Sequence, residues 1–329
     1  MTSRRRDTAV APALESSDHT APTTDEPSEP ASVGAPAMMP TWLGLLRTAR
    51  PRQWAKNVLL LAAPGAAGVL SDGDVLLKSL ASVAVFCVAA SGTYFLNDAL
   101  DVEVDRKHPV KRNRPIATGA VPVGLAKALG LTLLLASVAA SFLVAGWELA
   151  LILGIYVTLQ PLYSLWLKNV PVVDLSIVAS GFVLRAIAGG VAVDVPISEW
   201  FLIVASAGSL FMVAGKRHAE HIDLGDERVG HRSTLGEYST SYLRYVRSVS
   251  SSIAIAAYCL WAFEKADIAS FPISFQLSIV PFVLAVLRYA LLLDSGKGGV
   301  PEDIVLRDRP LQALGLTWVL VFAVGVYAG

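Results

Sequence analysis

Nine apolar stretches, each close to 20 residues long, constrain the fold of this chain more than any other feature, because a helix of that length covers the roughly 30 Å of hydrocarbon in a bilayer. They fall at 54–70, 77–97, 123–143, 147–166, 171–192, 198–215, 243–263, 273–293 and 311–328. Inside lipid every backbone N–H and C=O needs a partner within its own segment, so runs of this kind become α-helices. The expectation is an all-α polytopic membrane protein with nine transmembrane helices. Composition agrees: of 329 residues, 54% are hydrophobic and only 16% charged, a balance foreign to soluble domains of this length. Formal net charge is +0, so no global attraction to nucleic acid operates, and the partner implied is the lipid bilayer. Cys87 and Cys259 both sit inside apolar runs, which argues against a disulfide framework or a thiolate metal site.

Residues 1–42 are rich in Ser, Thr, Pro, Ala, Asp and Glu without a sustained apolar period, the composition of a disordered tail. The Arg4-Arg5-Arg6 cluster within it has no apolar stretch close behind, as a signal peptide would require. Residues 43–329 are expected to form one transmembrane domain. Its connections alternate in charge: those after the first, third, fifth and seventh spans hold only Lys78 and Lys265, and the others carry nearly all remaining loop Lys and Arg. Basic loops stay in the cytoplasm. The N-terminus and the basic connections are therefore expected on the cytoplasmic side of a plasma membrane and the C-terminus outside.

Charge alone would make these loops topology signals. The stretch "NDALDVEVDRKHPVKRNRPIATG" at 97–119 goes further. Asn97, Asp101 and Asp105 recur every four residues, so a continuing helix projects all three from one face, with Asp98 beside them. Stacked oxygen donors without Cys or His suit a hard cation such as Mg2+, and carboxylates clustered without a cation repel one another. Mg2+ bound this way commonly takes phosphate oxygens as further ligands, which points to a diphosphate site. Lys111, Arg112 and Arg114 follow closely; guanidinium forks and a lysine charge would hold the anionic oxygens beyond the metal's reach. Pro109, Pro115 and Gly119 interrupt helical periodicity, so this basic stretch is expected to fold back over the helix end.

The pattern N-D-x-x-D-x-x-x-D followed by R-P-x-A-x-G, at the end of the second span, resembles the first aspartate-rich motif of the UbiA-type intramembrane prenyltransferase superfamily. The resemblance extends over about 45–329. It implies a UbiA-like bundle around a central cavity with a cytoplasmic cap, where Mg2+ and a diphosphate meet a polyprenyl substrate arriving from the bilayer. Carried onto this chain, it makes Asn97, Asp101 and Asp105 the metal face, Asp98 a metal or substrate contact, and Asp98, Asp101 and Asp105 the catalytic acids.

The second loop departs from the superfamily pattern. In "GKRHAEHIDLGDERVGHRSTLGEYS", Asp223 and Asp226 remain, but Lys216, Arg217 and His218 stand where further carboxylates are expected. Fewer acids and more bases suggest direct phosphate contacts, hence a substrate with a phosphate beyond its diphosphate. With "RPRQWAKN" (50–57), "HPVKRNRPIATG" (108–119) and "YSLWLKNVPVVDLSIVASGFVLRAIAGG" (163–190), the chain resembles the branch of the superfamily that serves cell-wall arabinan synthesis. That branch transfers phosphoribosyl from 5-phosphoribosyl-1-diphosphate to a polyprenyl (decaprenyl) phosphate, releasing pyrophosphate. A prenyltransferase acting on an aromatic acceptor is the alternative enzyme, and a transporter or lipid-binding protein the non-enzymatic one; acids at a helix end rather than mid-membrane weigh against the latter.

Further candidates are more open. Lys56 and Asn57 read equally as phosphate contacts or headgroup anchors. Tyr163 and Lys168 match a superfamily pattern near the pyrophosphate. Asp174 and Arg185 share a helical face about 16 Å apart, too far to pair, and Arg185 reads as a cavity or interhelical partner able to hold a phosphate. Lys216 and Arg217 complete the substrate-binding set. His218 and His221 lack an evident third zinc ligand, "GKGG" at 296–299 lacks Walker spacing, and "PEDIVLRDRP" at 301–310 is an amphipathic candidate for the cap. A homo-oligomer is compatible with the sequence, and no residue pattern derives one.

Overall fold

A computed structural model describes residues 39–224, 233–295 and 301–328. The tail over 1–38, Asp226 and the glycine-rich stretch at 296–299 lie outside the described residues. Among those described there is no strand. Among the described residues seven helices are long and apolar enough to cross a membrane. In chain order the helices are α1 (Thr41–Ala49), a 3-10 segment (Pro51–Leu61), α2 (Ala62–Ala66), α3 (Gly73–Leu100), α4 (Val102–Lys107), α5 (Val123–Leu165) and α6 (Val173–Ala192). They continue as α7 (Glu199–Leu224), α8 (Ser233–Glu237), α9 (Thr240–Ile268), α10 (Pro272–Asp294), α11 (Pro301–Arg307) and α12 (Arg309–Tyr327).

Local chemistry sets the helix starts. Asp72 caps α3, its carboxylate accepting from the N–H groups of Asp74 and Val75 at 2.8 and 3.2 Å. Ser239 caps α9 through Tyr242 N–H at 3.1 Å, and Asp308 caps α12 through Leu311 N–H at 2.8 Å. Each satisfies a donor that the helix itself leaves unpaired.

The structure differs from nine separate α-helical spans in two places. The expected spans at 123–143 and 147–166 belong to one 43-residue helical stretch, interrupted where Ala145 (φ −147°, ψ 28°) and Gly146 (φ 76°, ψ −167°) leave helical geometry. Gly146 sits in a region of φ/ψ space open essentially to glycine alone. The chain reverses there. A Cβ on Gly130 would lie 3.1 Å from the Gly92 carbonyl oxygen, and the Tyr156 ring lies 5.7 Å from that of Phe86. A straight helix from Gly130 to Tyr156 would run about 39 Å, whereas Gly92 and Phe86 are only about 9 Å apart along α3. Both halves of α5 therefore pack on the same length of α3.

The expected first span, 54–70, is a 3-10 segment followed by the short α2 rather than a continuous α-helix. It runs antiparallel to α3: Arg50 meets Asp98, Trp54 donates to Ser91 at 3.0 Å and Asn57 to the Cys87 sulfur at 3.2 Å. Its far end reaches α12, where the Tyr327 hydroxyl donates to the Gly65 carbonyl at 3.2 Å. A 3-10 helix rises about 2.0 Å per residue against 1.5 Å, so fewer residues cover the same depth. Leu60, Phe86, Leu149, Leu153, Tyr156 and Ala188 form the buried core joining this segment to α3, α5 and α6.

Candidate active site

Asp101 falls between α3 and α4 and is the break in what would otherwise be one helix (φ −89°, ψ 5°). Backbone hydrogen bonds from Asp101 N–H to Asn97 and from Asp105 N–H to Asp101, at 2.9 and 2.8 Å, carry the helical register across the break. The four-residue spacing of the motif thus survives although the helix is not continuous. Asn97 and Asp101 are half-buried, whereas Asp98 and Asp105 are 3% and 2% exposed.

Two arginines converge on the buried pair. Arg114 donates through Nη1 to Asp98 Oδ1 at 3.0 Å and to Asp105 Oδ2 at 2.7 Å. Arg50 donates through Nη2 to the same Asp98 oxygen at 2.7 Å, with its guanidinium 4.6 Å from the centre of the Tyr94 ring. Arg50 has a left-handed backbone (φ 52°, ψ 62°) where α1 ends, a conformation costing a non-glycine residue about 1–2 kcal/mol.

The loop carrying Arg114 does fold back over the helix end. Ile116 and Val121, both fully buried, pack against Phe95, Ala99 and Val102. The His108 ring Nδ1 accepts from the N–H groups of Val110 and Lys111 at 3.1 and 3.3 Å, shaping the turn. Lys111 is half-buried and Arg112 exposed, and neither has a described bond to the acids.

The remaining sequence candidates fall into two further clusters. Arg185, 7% exposed on α6, donates Nε to Asn57 at 2.7 Å, Nη1 to the Gly181 carbonyl at 2.6 Å and Nη2 to the Tyr156 hydroxyl at 2.9 Å, and stacks over the Tyr156 ring at 4.7 Å. It is an interhelical tie between the 3-10 segment, α5 and α6. Lys56, beside Asn57, bonds Gln53 at 2.6 Å.

In the other cluster Arg217, 4% exposed on α7, donates to Asp174 at 3.1 Å, to the Tyr163 hydroxyl at 2.9 Å and to Glu220 at 2.7 Å. Asp174 also accepts from the Tyr238 hydroxyl, which in turn accepts from Val172 N–H at 2.7 Å. Burial, then the hydrogen bond to Asp174, raises the Tyr238 phenol above its ordinary range near 10, so it stays protonated through neutral pH. Lys168 offers its carbonyl to Thr234 at 3.2 Å, and Lys216 stands 3.8 Å from Glu220.

The structure therefore brings Asp98, Asp105 and Arg114 together, and separately Tyr163, Asp174 and Arg217. Sequence reasoning passed over Arg50, Tyr94, Tyr156 and Tyr238. Arg50 and Tyr238 lie at the edges of the motif stretches at 50–57 and 215–239, where residue type alone gives neither a role.

Among the described residues no three His, Cys, Asp or Glu side chains are placed to share a metal ion. The donor chemistry nevertheless fits a hard cation. Asp98 and Asp105 already converge on one positive group, Arg114 Nη1, and Asn97 and Asp101 add oxygens on the same helical register.

Residues 56–297 match the UbiA prenyltransferase family, well over half of the chain. The chain belongs to that family. It is 45% identical over 294 residues to a decaprenyl-phosphate phosphoribosyltransferase of Corynebacterium glutamicum, covering 86% of this chain and 87% of that protein. The enzyme of the same name from Mycolicibacterium smegmatis is 45% identical over 300 residues, covering 86% and 92%. A UbiA homologue from Archaeoglobus fulgidus, solved with GPP and Mg2+ bound, superposes with a TM-score of 0.63 at 18% identity, over 87% of this chain and all of that one. That likeness shows the fold. Family membership and the apolar helices together make this a multi-pass membrane protein.

Proposed function

We propose that the chain is a decaprenyl-phosphate phosphoribosyltransferase: it moves the 5-phosphoribosyl group of 5-phosphoribosyl-1-diphosphate to decaprenyl phosphate and releases pyrophosphate, supplying a precursor for cell-wall arabinan. The observation that carries this reading is 45% identity along most of both chains to enzymes of that name. Residues 43–329 form the catalytic domain, in the plasma membrane, with the acidic motif and the N-terminus cytoplasmic and the C-terminus external.

Asn97, Asp101 and Asp105 would hold Mg2+, with Asp98 as a further contact; when bound, the ion neutralises charge on the departing pyrophosphate. Arg114 and Arg50 lie at the same acids, and a guanidinium forks two donors onto phosphate oxygens, so both orient the diphosphate there. Lys111 and Arg112 extend the positive field from the same loop. Asp98 and Asp105 are two acids in a buried place, so the guanidiniums also hold the pair together before substrate arrives. An acceptor phosphate oxygen bonds to ribose C1 as the C1–O bond to pyrophosphate breaks, and pyrophosphate leaves with the bonding electron pair. The acceptor oxygen is already ionised near neutral pH, so no general base is required. In-line attack inverts C1 and gives a β-linked product from the α donor. Arg185 and Arg217 act by holding helices in place rather than by touching the reacting atoms.

The test offers purified protein with Mg2+ labelled phosphoribosyl diphosphate plus decaprenyl phosphate, and in parallel a prenyl diphosphate plus 4-hydroxybenzoate. Lipid-linked phosphoribose in the first mixture is expected. Product in the second mixture alone makes the chain an aromatic prenyltransferase.

A further inference from the structure

Two buried donors on α7 and α9 face no acceptor. His218 and Arg247 are 2% and 6% exposed, and Arg247 Nη1 lies 3.1 Å from His218 Nδ1. A guanidinium can only donate, so Nδ1 is the acceptor and the proton of the neutral imidazole sits on Nε2. Both that Nε2–H and the Nε–H of Arg247 are buried, and among the described residues neither has a hydrogen-bond partner. Donors in this state are rare in folded proteins and call for an unseen water, ion or ligand.

The charge around them favours an anion. Arg247 otherwise donates to the Ala290 carbonyl at a long 3.4 Å and stands 3.8 Å from Asp294, which is 59% exposed on its side chain and so a weak counterion. Among the described residues, Arg244 and His221 also lie within electrostatic reach of His218, and Tyr289 within reach of Arg247. Arg217, the preceding residue, already donates to Asp174, Tyr163 and Glu220. Of the basic residues in "GKRHAEH", His218 is thus the one whose described donor is left over.

We propose that His218 Nε2–H and Arg247 Nε–H form an anion subsite that receives a phosphate monoester, whose unesterified oxygens accept from both. The proposal rests on the phosphoribosyltransferase reading, in which both substrates bring such a group: the 5-phosphate of the donor and the head phosphate of the acceptor.

The experiment uses the full chain in nanodiscs of zwitterionic lipid. Inorganic phosphate is titrated against thermal unfolding at constant ionic strength, with chloride as control, for wild type, His218→Phe and Arg247→Met. Phosphate affinity at least tenfold weaker in both variants is expected, with His218→Gln, whose amide can accept from Arg247 and still donate, closer to wild type. Steady-state kinetics then separates the sources: a rise in KM for phosphoribosyl diphosphate alone assigns the donor's 5-phosphate, and a rise for decaprenyl phosphate alone the acceptor's head. Equal phosphate affinity in wild type and variants overturns the subsite and leaves a buried water. Weaker phosphate binding with both KM values unmoved overturns its substrate role. If either variant fails to fold, absence of any stabilisation of wild type by phosphate over chloride overturns the subsite on its own. A wild type without turnover would count against the proposed function, and the phosphate titration would still decide the subsite.

Discussion

Arg114 concentrates the chemistry of the site in one side chain. Its Nη1 bridges two nearly inaccessible carboxylates, and removing it leaves Arg50 on Asp98 and takes from Asp105 the guanidinium it meets. Arg114→Gln is expected to lower kcat/KM by roughly a hundredfold or more, the range seen when a fixed donor to developing charge is lost. Arg114→Lys should recover part of this, since it restores charge but not the fork. A loss below threefold for Arg114→Gln, measured under saturating Mg2+, would remove Arg114 from the site. The acids themselves were legible from spacing and residue type. Their partners were only half legible: Arg114 stood out in a basic run, but Arg50 reaches Asp98 because the backbone turns left-handed at the end of α1, and nothing in the local sequence announces a positive φ at an arginine.

At the level of elements, glycine decides how closely the first segment approaches. A Cβ on Gly189 of α6 would lie 1.8 Å from the Leu60 carbonyl oxygen and 2.6 Å from its carbon, so only glycine allows this backbone contact. Gly189→Ala is expected to destabilise by about 1–3 kcal/mol, as overpacking does, read as a lower unfolding midpoint in detergent. It should also raise KM for phosphoribosyl diphosphate, because Leu60 belongs to the segment that begins beside Arg50 and makes the Asn57 to Arg185 bond. An unchanged midpoint would show that the segment does not pack on α6 in this way. Hydropathy placed a span at 54–70 but could not tell a 3-10 segment from an α-helix, since both bury the same side chains. It placed two spans at 123–143 and 147–166, and the chain leaves helical geometry between them, at Ala145 and Gly146, within one longer helical stretch.

For the molecule as a whole, the acidic motif sits at one end of α3 and the glycines at 65 and 68 sit at the other, against Tyr327 and Val326. With basic loops inside, the C-terminus should be external. In a background lacking Cys87 and Cys259, an impermeant maleimide applied to intact cells is expected to label Ala328→Cys and to spare Glu103→Cys until the membrane is opened; the reverse pattern inverts the proposed orientation. The sequence by itself determined that the chain is a bundle of membrane-crossing helices and that one helix end holds acids suited to a cation, because hydropathy, charge bias and four-residue spacing are local properties. Only the tertiary structure decided which charges meet. Asp98 with Arg50, Asp174 with Arg217, and His218 with Arg247 are each brought together from distant segments, and the pairing depends on how helices turn and pack rather than on any pattern along one of them.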